Sequence, residues 1–411
     1  MSIAVDEVLS ISGPVPQPAG SVDVREYGAA GDGSTVDSDA FTAAIAAAGE
    51  GGAVWIPEGS YVVRDIRPLT GQTIAGESNR AILKSQAIDG NAPIHCVNPN
   101  VTIDRLSVDL FATANFAVGI YLDTAGCAVR RCRIYDSRQD RSGTGWTGNG
   151  GPPFTVHAIL ARNGGHIIED NETDHTTIKA VGSHYLIQRN VCRRSANFGI
   201  STVLESDSDS VDDVQILNNT ILEPWNQGGI YAGSDVNNAP TGQYTNLTIR
   251  GNTIRGGWAR EVPLNSGFGA IVARPCRVSV GWTIDGNTIV CTDALPPGNS
   301  NGIVMSCVGT SLQDAIISNN SCALVDFYGL ILESKLANVL LENNKFGPDR
   351  GTVITALGDG PSAVTMTGNE TSRIVLKAQD QDLVATLTGN SYAAIDKTNG
   401  AGVVTCIGQG A

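Results

Sequence analysis

Leu247–Ile254 reads "LTIRGNTI" and Trp282–Ile289 reads "WTIDGNTI". Each is a short strand-like run that closes on an asparagine, Asn252 or Asn287, with another apolar side chain two residues on. The phrase returns as "IIEDNET", "LIQRNVC", "QILNNTI", "AIISNNSC", "VLLENNKF", "VTMTGNE" and "ATLTGNS". Aligning Asn171, Asn190, Asn219, Asn252, Asn287, Asn320, Asn344, Asn369 and Asn390 puts Ile168, Ile187, Ile216, Ile249, Ile284, Ile317, Leu341, Met366 and Leu387 three residues earlier. All of these are apolar. Two residues after the asparagine come Cys192, Ile221, Ile254, Ile289, Cys322 and Phe346, with Thr173 and Thr371 as polar exceptions. Val129/Cys132/Ile134 and Val101/Asp104/Leu106 extend the pattern backwards.

A fixed core position repeated at intervals of about 20 to 35 residues means stacked rungs joined by elastic loops. No rung buries its apolar face alone, but a stack of them buries a continuous column. The expected fold is all-β, a right-handed single-stranded parallel β-helix of about ten to twelve coils from near Thr73 to Cys406. The handedness is that of known solenoids. Asparagine at the bend is expected to adopt the left-handed conformation and to bond to the asparagines above and below.

A second ladder runs out of phase, as "AVGIYLD", "VHAILAR", "NFGISTV", "QGGIYAG", "FGAIVAR", "SNGIVMS" and "FYGLILE". Ile120, Ile159, Ile200, Ile230, Ile271, Ile303 and Leu330 are expected to point inward. Strand alternation then places Gly119, Ala158, Gly199, Gly229, Ala270, Gly302 and Gly329 on the outer face, where missing side chains would leave a shallow groove or glycine would relieve a bend.

Composition narrows the function. The formal charge is −14 with no basic cluster, which argues against a nucleic-acid partner. No stretch is long and apolar enough for a membrane span. The chain has no CxxC, so no metal and no cofactor is expected. The inward cysteines Cys192 and Cys322 are expected to act as small core hydrophobes. "MSIAVDEVLSISGPVPQPAG" has no leader pattern, and both secreted and cytoplasmic locations fit.

A solenoid needs its first rung covered. "YGAAGDGSTVDSDAFTAAIAAA", Tyr27–Ala48, supplies a turn and a short helix capped by Ser38 or Asp39, with Phe41, Ala44, Ile45 and Ala48 on one face. Asp32, Asp37 and Asp39 are expected to be turn and cap residues. The organisation expected is an N-terminal extension over 1–20, a cap and lead-in over 21–70, and the β-helix over 71–411 with long loops within 136–300.

The stretch "VREYGAAGDGSTVDSDAFTAAIAAA...GGAVWIPEGSYVV" resembles the opening segment of the pectate-lyase-like superfamily. That segment is shared by polygalacturonase-type hydrolases, polysaccharide lyases and phage tailspike depolymerases. The family often has consecutive aspartates where Asp37 and Asp39 are separated by Ser38. The resemblance implies the fold; its members hydrolyse, eliminate, epimerise, transfer or only bind. The polygalacturonase set of NTD, DD, GHG and RIK is absent in order, and Asp212-Asp213 is the one near match to the DD pair, in what reads as a polar loop. No calcium nonapeptide array is present.

Long insertions over 136–155, 205–213, 233–245, 256–268 and 292–300 carry Trp146, Trp225, Tyr244 and Trp258, which suit stacking on a sugar's C–H face. Outward positions on the second ladder give Tyr121, Asp123, Arg162, Lys179, Ser201, Tyr231, Arg274 and Glu333. Hydrolysis or glycosyl transfer needs two carboxylates across the glycosidic bond. Glu205 and Asp235, on adjacent coils, are the preferred pair, with Asp123 as a further catalytic candidate and Glu261 behind it. Elimination on a uronate polymer needs a cation and a base, for which Arg162, Lys179, Arg274, His157, His175 and Tyr231 are available. Arg162, Lys179, Tyr231, Arg274, Trp146 and Trp258 are the expected substrate-binding residues. The acidic balance favours hydrolysis or transfer on a polysaccharide or oligosaccharide. A polysaccharide lyase, a sugar epimerase and a non-catalytic glycan-binding or tailspike-like adhesion protein are the other readings. Parallel β-helices often assemble side by side, so a homotrimer is one expected assembly.

Overall fold

The computed structural model describes residues 13–86, 92–110, 116–137, 155–195, 197–204, 209–224, 228–233, 242–256, 269–274, 276–291, 301–323, 328–347, 351–357 and 360–408. The chain is a right-handed parallel β-helix, divided into one unit of residues 1–181 with 185–196 and another of 182–184 with 197–411. A complete coil contributes a strand to face I, one to face II and one to face III.

In the first unit, face I stacks Ile94–Cys96, Phe116–Leu122, Thr155–Ala161 and Thr177–Val181. Face II stacks Thr73–Gly76, Thr102–Asp104, Ala128–Arg130, Ile167–Glu169 and Tyr185–Gln188. Face III runs from Gly59–Val63 through Ala81–Ser85, Ser107–Asp109, Arg133–Tyr135 and Glu172–Asp174 to Val191–Arg193. In the second unit, face I begins with Phe198–Val203, Gly228–Gly233 and Gly269–Arg274. Its last rung is Ala394–Asn399 on face I and Val404–Gly408 on face II. All of these pairings are parallel.

The core column is the one the repeat predicts. Ile103, Val129, Ile168 and Ile187 are in register, as are Ile216, Ile249, Ile284, Ile317, Leu341, Met366 and Leu387. The earliest repeat is shifted by two residues from Val101/Asp104/Leu106. Ile103, Leu106 and Val108 are the buried set, since Ile103 pairs with Val129 and Val108 with Ile134.

The asparagines form a buried ladder between faces II and III. The Asn252 N–H and Nδ2 both donate to Asn287 Oδ1, at 2.9 and 3.0 Å. Asn252 Nδ2 also donates to Ile216 O at 2.9 Å, while its Oδ1 accepts from the N–H and Nδ2 of Asn219. The left-handed residue is the one before each asparagine. Asp170, Arg189, Asn218, Gly251, Gly286, Asn319, Asn343, Gly368 and Gly389 have φ between +52° and +66°. The marked asparagine therefore supplies the ladder and its predecessor makes the bend.

The small residues of the second ladder face inward, contrary to the expectation of an outer groove. A Cβ on Gly119 would lie 2.8 Å from Ile134 Cγ2, and one on Gly229 2.8 Å from Ile254 Cδ1. On Gly302 it would lie 2.7 Å from Cys322 Sγ, and on Gly329 2.5 Å from Phe346 Cβ. Ala158 and Ala270 are fully buried. The chain has just turned the corner from face III and presses against that face's side chains. Two-residue alternation does not carry across such a corner, and the pairing slips between His157 and Ile159.

The helix Ser38–Ala48 buries Phe41, Ala44 and Ile45. Asp37 occupies the cap position, but its side chain accepts instead from the Ala30 N–H, at 2.7 Å. The Asp32 carboxylate binds the N–H groups of Ser34 and Thr35 within its own turn. Those backbone bonds, Thr35 first, hold its pKa far below the ordinary carboxylate range.

Candidate active site

In the first unit, the outward side chains of face I converge on His95. The register stacks His95, Tyr121, Leu160 and Lys179 in one column, because Ile94, Ile120, Ile159 and Ile178 fill the core beneath them. The His95 and Tyr121 rings lie face to face, with centroids 4.7 Å apart and an 8° interplanar angle. Tyr121 donates its hydroxyl hydrogen to Asp123 Oδ1 at 3.1 Å. His95 Nδ1 is 3.5 Å from Asp65 Oδ1 and its Nε2 is 3.6 Å from Asp123 Oδ2. Both are ion-pair distances rather than well-formed hydrogen bonds. The Nε2 atom is buried and makes no hydrogen bond among the described residues.

Asp65 is held from the other side by Arg67, 2.7 Å away. It takes a left-handed backbone conformation, φ 52°, just before Ile66 bridges to Ile94. The site thus has an imidazole between two carboxylates, a tyrosine orienting one of them and an arginine on the other. The Asp123 side chain is 38 % exposed and so reaches solvent.

Arg162 stands one coil beyond Asp123: its N–H donates to Leu122 O at 2.8 Å, and Leu122 pairs with Ala161. Asn163 Nδ2 donates to Asp123 O at 3.1 Å. Face I of this unit therefore brings together Tyr121, Asp123, Arg162 and Lys179 from the sequence candidates. It adds His95 and Asp65, which the second ladder omits because it starts at Gly119. "PIHC" and "DIRP" are the two preceding rungs, with Pro93 and Asp65 in the place of the small residue.

In the second unit, Tyr231 is 4 % exposed, packed at 5.0 Å against the Phe198 ring, with the Arg274 guanidinium 5.8 Å from its centroid. Tyr231 is thus more enclosed than an outward position suggests. Glu333 accepts from the Ser306 hydroxyl at 2.7 Å. Asp212 and Asp213 lie in the strand Ser210–Leu217 rather than in a loop. Asp212 Oδ1 accepts from Thr245 and Asn246, and these bonds lower its pKa. Glu205, Asp235, Glu261, Trp146, Trp225 and Trp258 lie outside the described residues.

His175 belongs to a buried ion pair at the end of face III in the first unit. Its Nδ1 is 3.1 Å from Asp174 Oδ1, which also accepts from Arg194 Nε at 2.9 Å. Burial alone would raise the Asp174 pKa, but the bonds from His175 and Arg194 outweigh it and the pKa is lowered. His157 is buried at the start of its face I strand.

The strand ends also locate the long insertions. Segments 138–154, 257–268 and 292–300 each connect a face III strand to a face I strand, whereas 205–208 and 234–241 connect face I to face II. Both sets of connections border face I. No group of three or more metal-binding side chains occurs among the described residues.

The sequence model of a family described as rhamnogalacturonase A/epimerase, pectate lyase-like matches residues 21–242. No curated protein matches in sequence. Among solved structures, PfbA, a surface adhesin of Streptococcus pneumoniae, is similar with a TM-score of 0.58 at 13 % identity, over 92 % of this chain and 91 % of that one. The catalytic unit of a GH87 alpha-1,3-glucanase from Streptomyces thermodiastaticus strain HF3-3 gives a TM-score of 0.46 at 15 % identity, over 97 % of this chain and 69 % of that one. Tailspike protein 3 of bacteriophage CBA120 gives 0.41 at 12 % identity, over 93 % of this chain and 61 % of that one. At 13 % identity the likeness to the adhesin is one of fold.

Proposed function

The chain belongs to the rhamnogalacturonase A/epimerase, pectate lyase-like family, and from that premise we propose that it is a carbohydrate-active enzyme. It cleaves glycosidic bonds of a polysaccharide or oligosaccharide laid along face I, by hydrolysis or glycosyl transfer. The observation that carries this reading is His95, set 3.5 and 3.6 Å from the carboxylates of Asp65 and Asp123 with its Nε2 unbonded. Those contacts set one carboxylate on each nitrogen of the same imidazole, and the Asp123 carboxylate reaches solvent. Asp123 acts as general base or acid, Tyr121 orients it, and His95 carries the proton that the second step needs. Arg162 and Lys179 hold substrate further along the face.

The two cations also favour a second reading, elimination on a uronate polymer, in which Arg162 and Lys179 neutralise the carboxylate and His95 removes the proton. One panel separates the readings: neutral fructans and glucans, pectates, alginates and capsular polymers, followed by reducing ends and by ultraviolet absorbance of unsaturated uronate. Reducing ends without absorbance support hydrolysis, and absorbance supports elimination. Chain shortening with neither points to an intramolecular transferase. Retained glycan binding without cleavage on any polymer would sink the cleavage reading in favour of an adhesion protein or an epimerase.

A further inference from the structure

We propose that Cys96 and Cys127 form a disulfide, tying the coil that bears His95 to the next coil, which bears Tyr121 and Asp123. The register places the two residues at the same corner. Cys96 ends its face I strand directly beneath Leu122, and its carbonyl accepts from the Asp123 N–H at 3.0 Å. The chain then turns at Thr124–Gly126 and brings Cys127 back over the segment that follows Cys96. Cys127 Sγ is 3.8 Å from Asn98 O and 3.8 Å from Thr124 O, and the Ala128 N–H donates to Val101 O at 2.8 Å. Both residues are free cysteines, fully buried, and each thiol shifts the other's titration. The other fully buried cysteines, Cys132 and Cys276 among them, fill core positions.

The site is also prepared for exchange. His166 Nδ1 accepts from the Cys127 N–H at 3.1 Å, and the His166 ring lies against Tyr185. The neighbouring Cys96, and after it His166, draw the Cys127 thiol down, while Cys127 and burial push Cys96 up. With glutathione disulfide as oxidant, the thiolate of one of the two cysteines attacks a glutathione sulfur and releases one glutathione thiolate. The other cysteine thiol then gives up its proton and displaces the second glutathione from the mixed disulfide. Two protein thiols and one glutathione disulfide become one protein disulfide and two glutathione thiols.

A disulfide here fastens Asp123 to the coil of His95 without touching either side chain, whatever reaction face I carries. The test is to refold the full chain from denaturant in a buffer of oxidised and reduced glutathione, so that access to buried sulfur does not limit the reaction. Remaining thiols are then alkylated under denaturing conditions and the peptides mapped by mass. The expected product is a cross-linked peptide containing Cys96 and Cys127, lighter by two hydrogens than its parts, and a thermal midpoint that falls on reduction. In Cys127→Ala the fall on reduction disappears. Folded protein with Cys96 and Cys127 both fully alkylated overturns the proposal, and so does a cross-link from either one to a different cysteine.

Discussion

At the scale of single residues, two positions separate chemistry from packing. Asp123 is partly exposed and contacts His95 and Tyr121, so Asp123→Asn removes a charge without opening a core cavity. On a polymer that the wild type cleaves, we expect kcat to fall by roughly 10²–10⁴-fold with a thermal midpoint nearly unchanged. An equal loss of midpoint and activity would mark Asp123 as structural. Gly329 is the opposite case. Its added Cβ would sit 2.5 Å from Phe346 Cβ, both in the backbone-fixed part of the wall. Gly329→Ala should cost about 1–3 kcal/mol in urea unfolding, and trimming Phe346 to Ala should restore little because it leaves a cavity. The sequence reveals Tyr121, Asp123, Arg162 and Lys179 as outward side chains, because Ile120, Ile159 and Ile178 repeat in register. It conceals His95 and Asp65, whose rungs carry Pro93 and Asp65 in place of the small residue. It also misplaces the small residues themselves, since alternation cannot report a corner.

At the scale of the repeating element, the ladder concentrates stability in one side chain per coil. Asn252→Ala would remove the Oδ1 that accepts from the buried N–H and Nδ2 of Asn219, and would leave Ile216 O and Asn287 Oδ1 each short of a donor. A loss of about 3 kcal/mol or more is expected from urea unfolding, well beyond that of an exposed asparagine. Asn252→Asp sets a buried carboxylate oxygen against the acceptors Ile216 O and Asn287 Oδ1 and should cost at least as much at neutral pH. The ion pair at the end of face III adds a pH term. Asp174 has its folded pKa below the unfolded value of about 3.9. Its contribution is therefore complete above that pH and is lost as pH falls through the lower folded pKa. Urea midpoints of wild type and Asp174→Asn should converge as pH drops below about 4. A gap that stays constant down to the acid limit would mean that the carboxylate charge contributes nothing there.

At the scale of the whole molecule, the fold is legible because a solenoid writes its core at fixed offsets. Ile216, Ile249, Ile284 and Ile317 need no distant partner to be recognised as one column. The site is less legible because it depends on side chains from successive coils, Asp65, His95 and Asp123, whose separation in sequence follows loop length rather than any repeat. The same arrangement lets stability and chemistry be pulled apart. The last rung, Ala394–Asn399 and Val404–Gly408, covers Ile374, Leu376, Leu383, Ala385 and Leu387, all buried. Deleting residues 394–411 exposes that layer and should lower the thermal midpoint by roughly 5 °C or more, since in stacked repeats each interface contributes in turn. Asp65, His95, Tyr121 and Asp123 all lie within the unit of residues 1–181 with 185–196. Below its new midpoint the shortened chain should therefore cleave with the wild-type kcat. If cleavage is lost while the far-ultraviolet circular dichroism stays intact, the reacting groups lie beyond residue 196. The residues to test next would then be Tyr231 and Arg274, with the segments that carry Glu205 and Asp235.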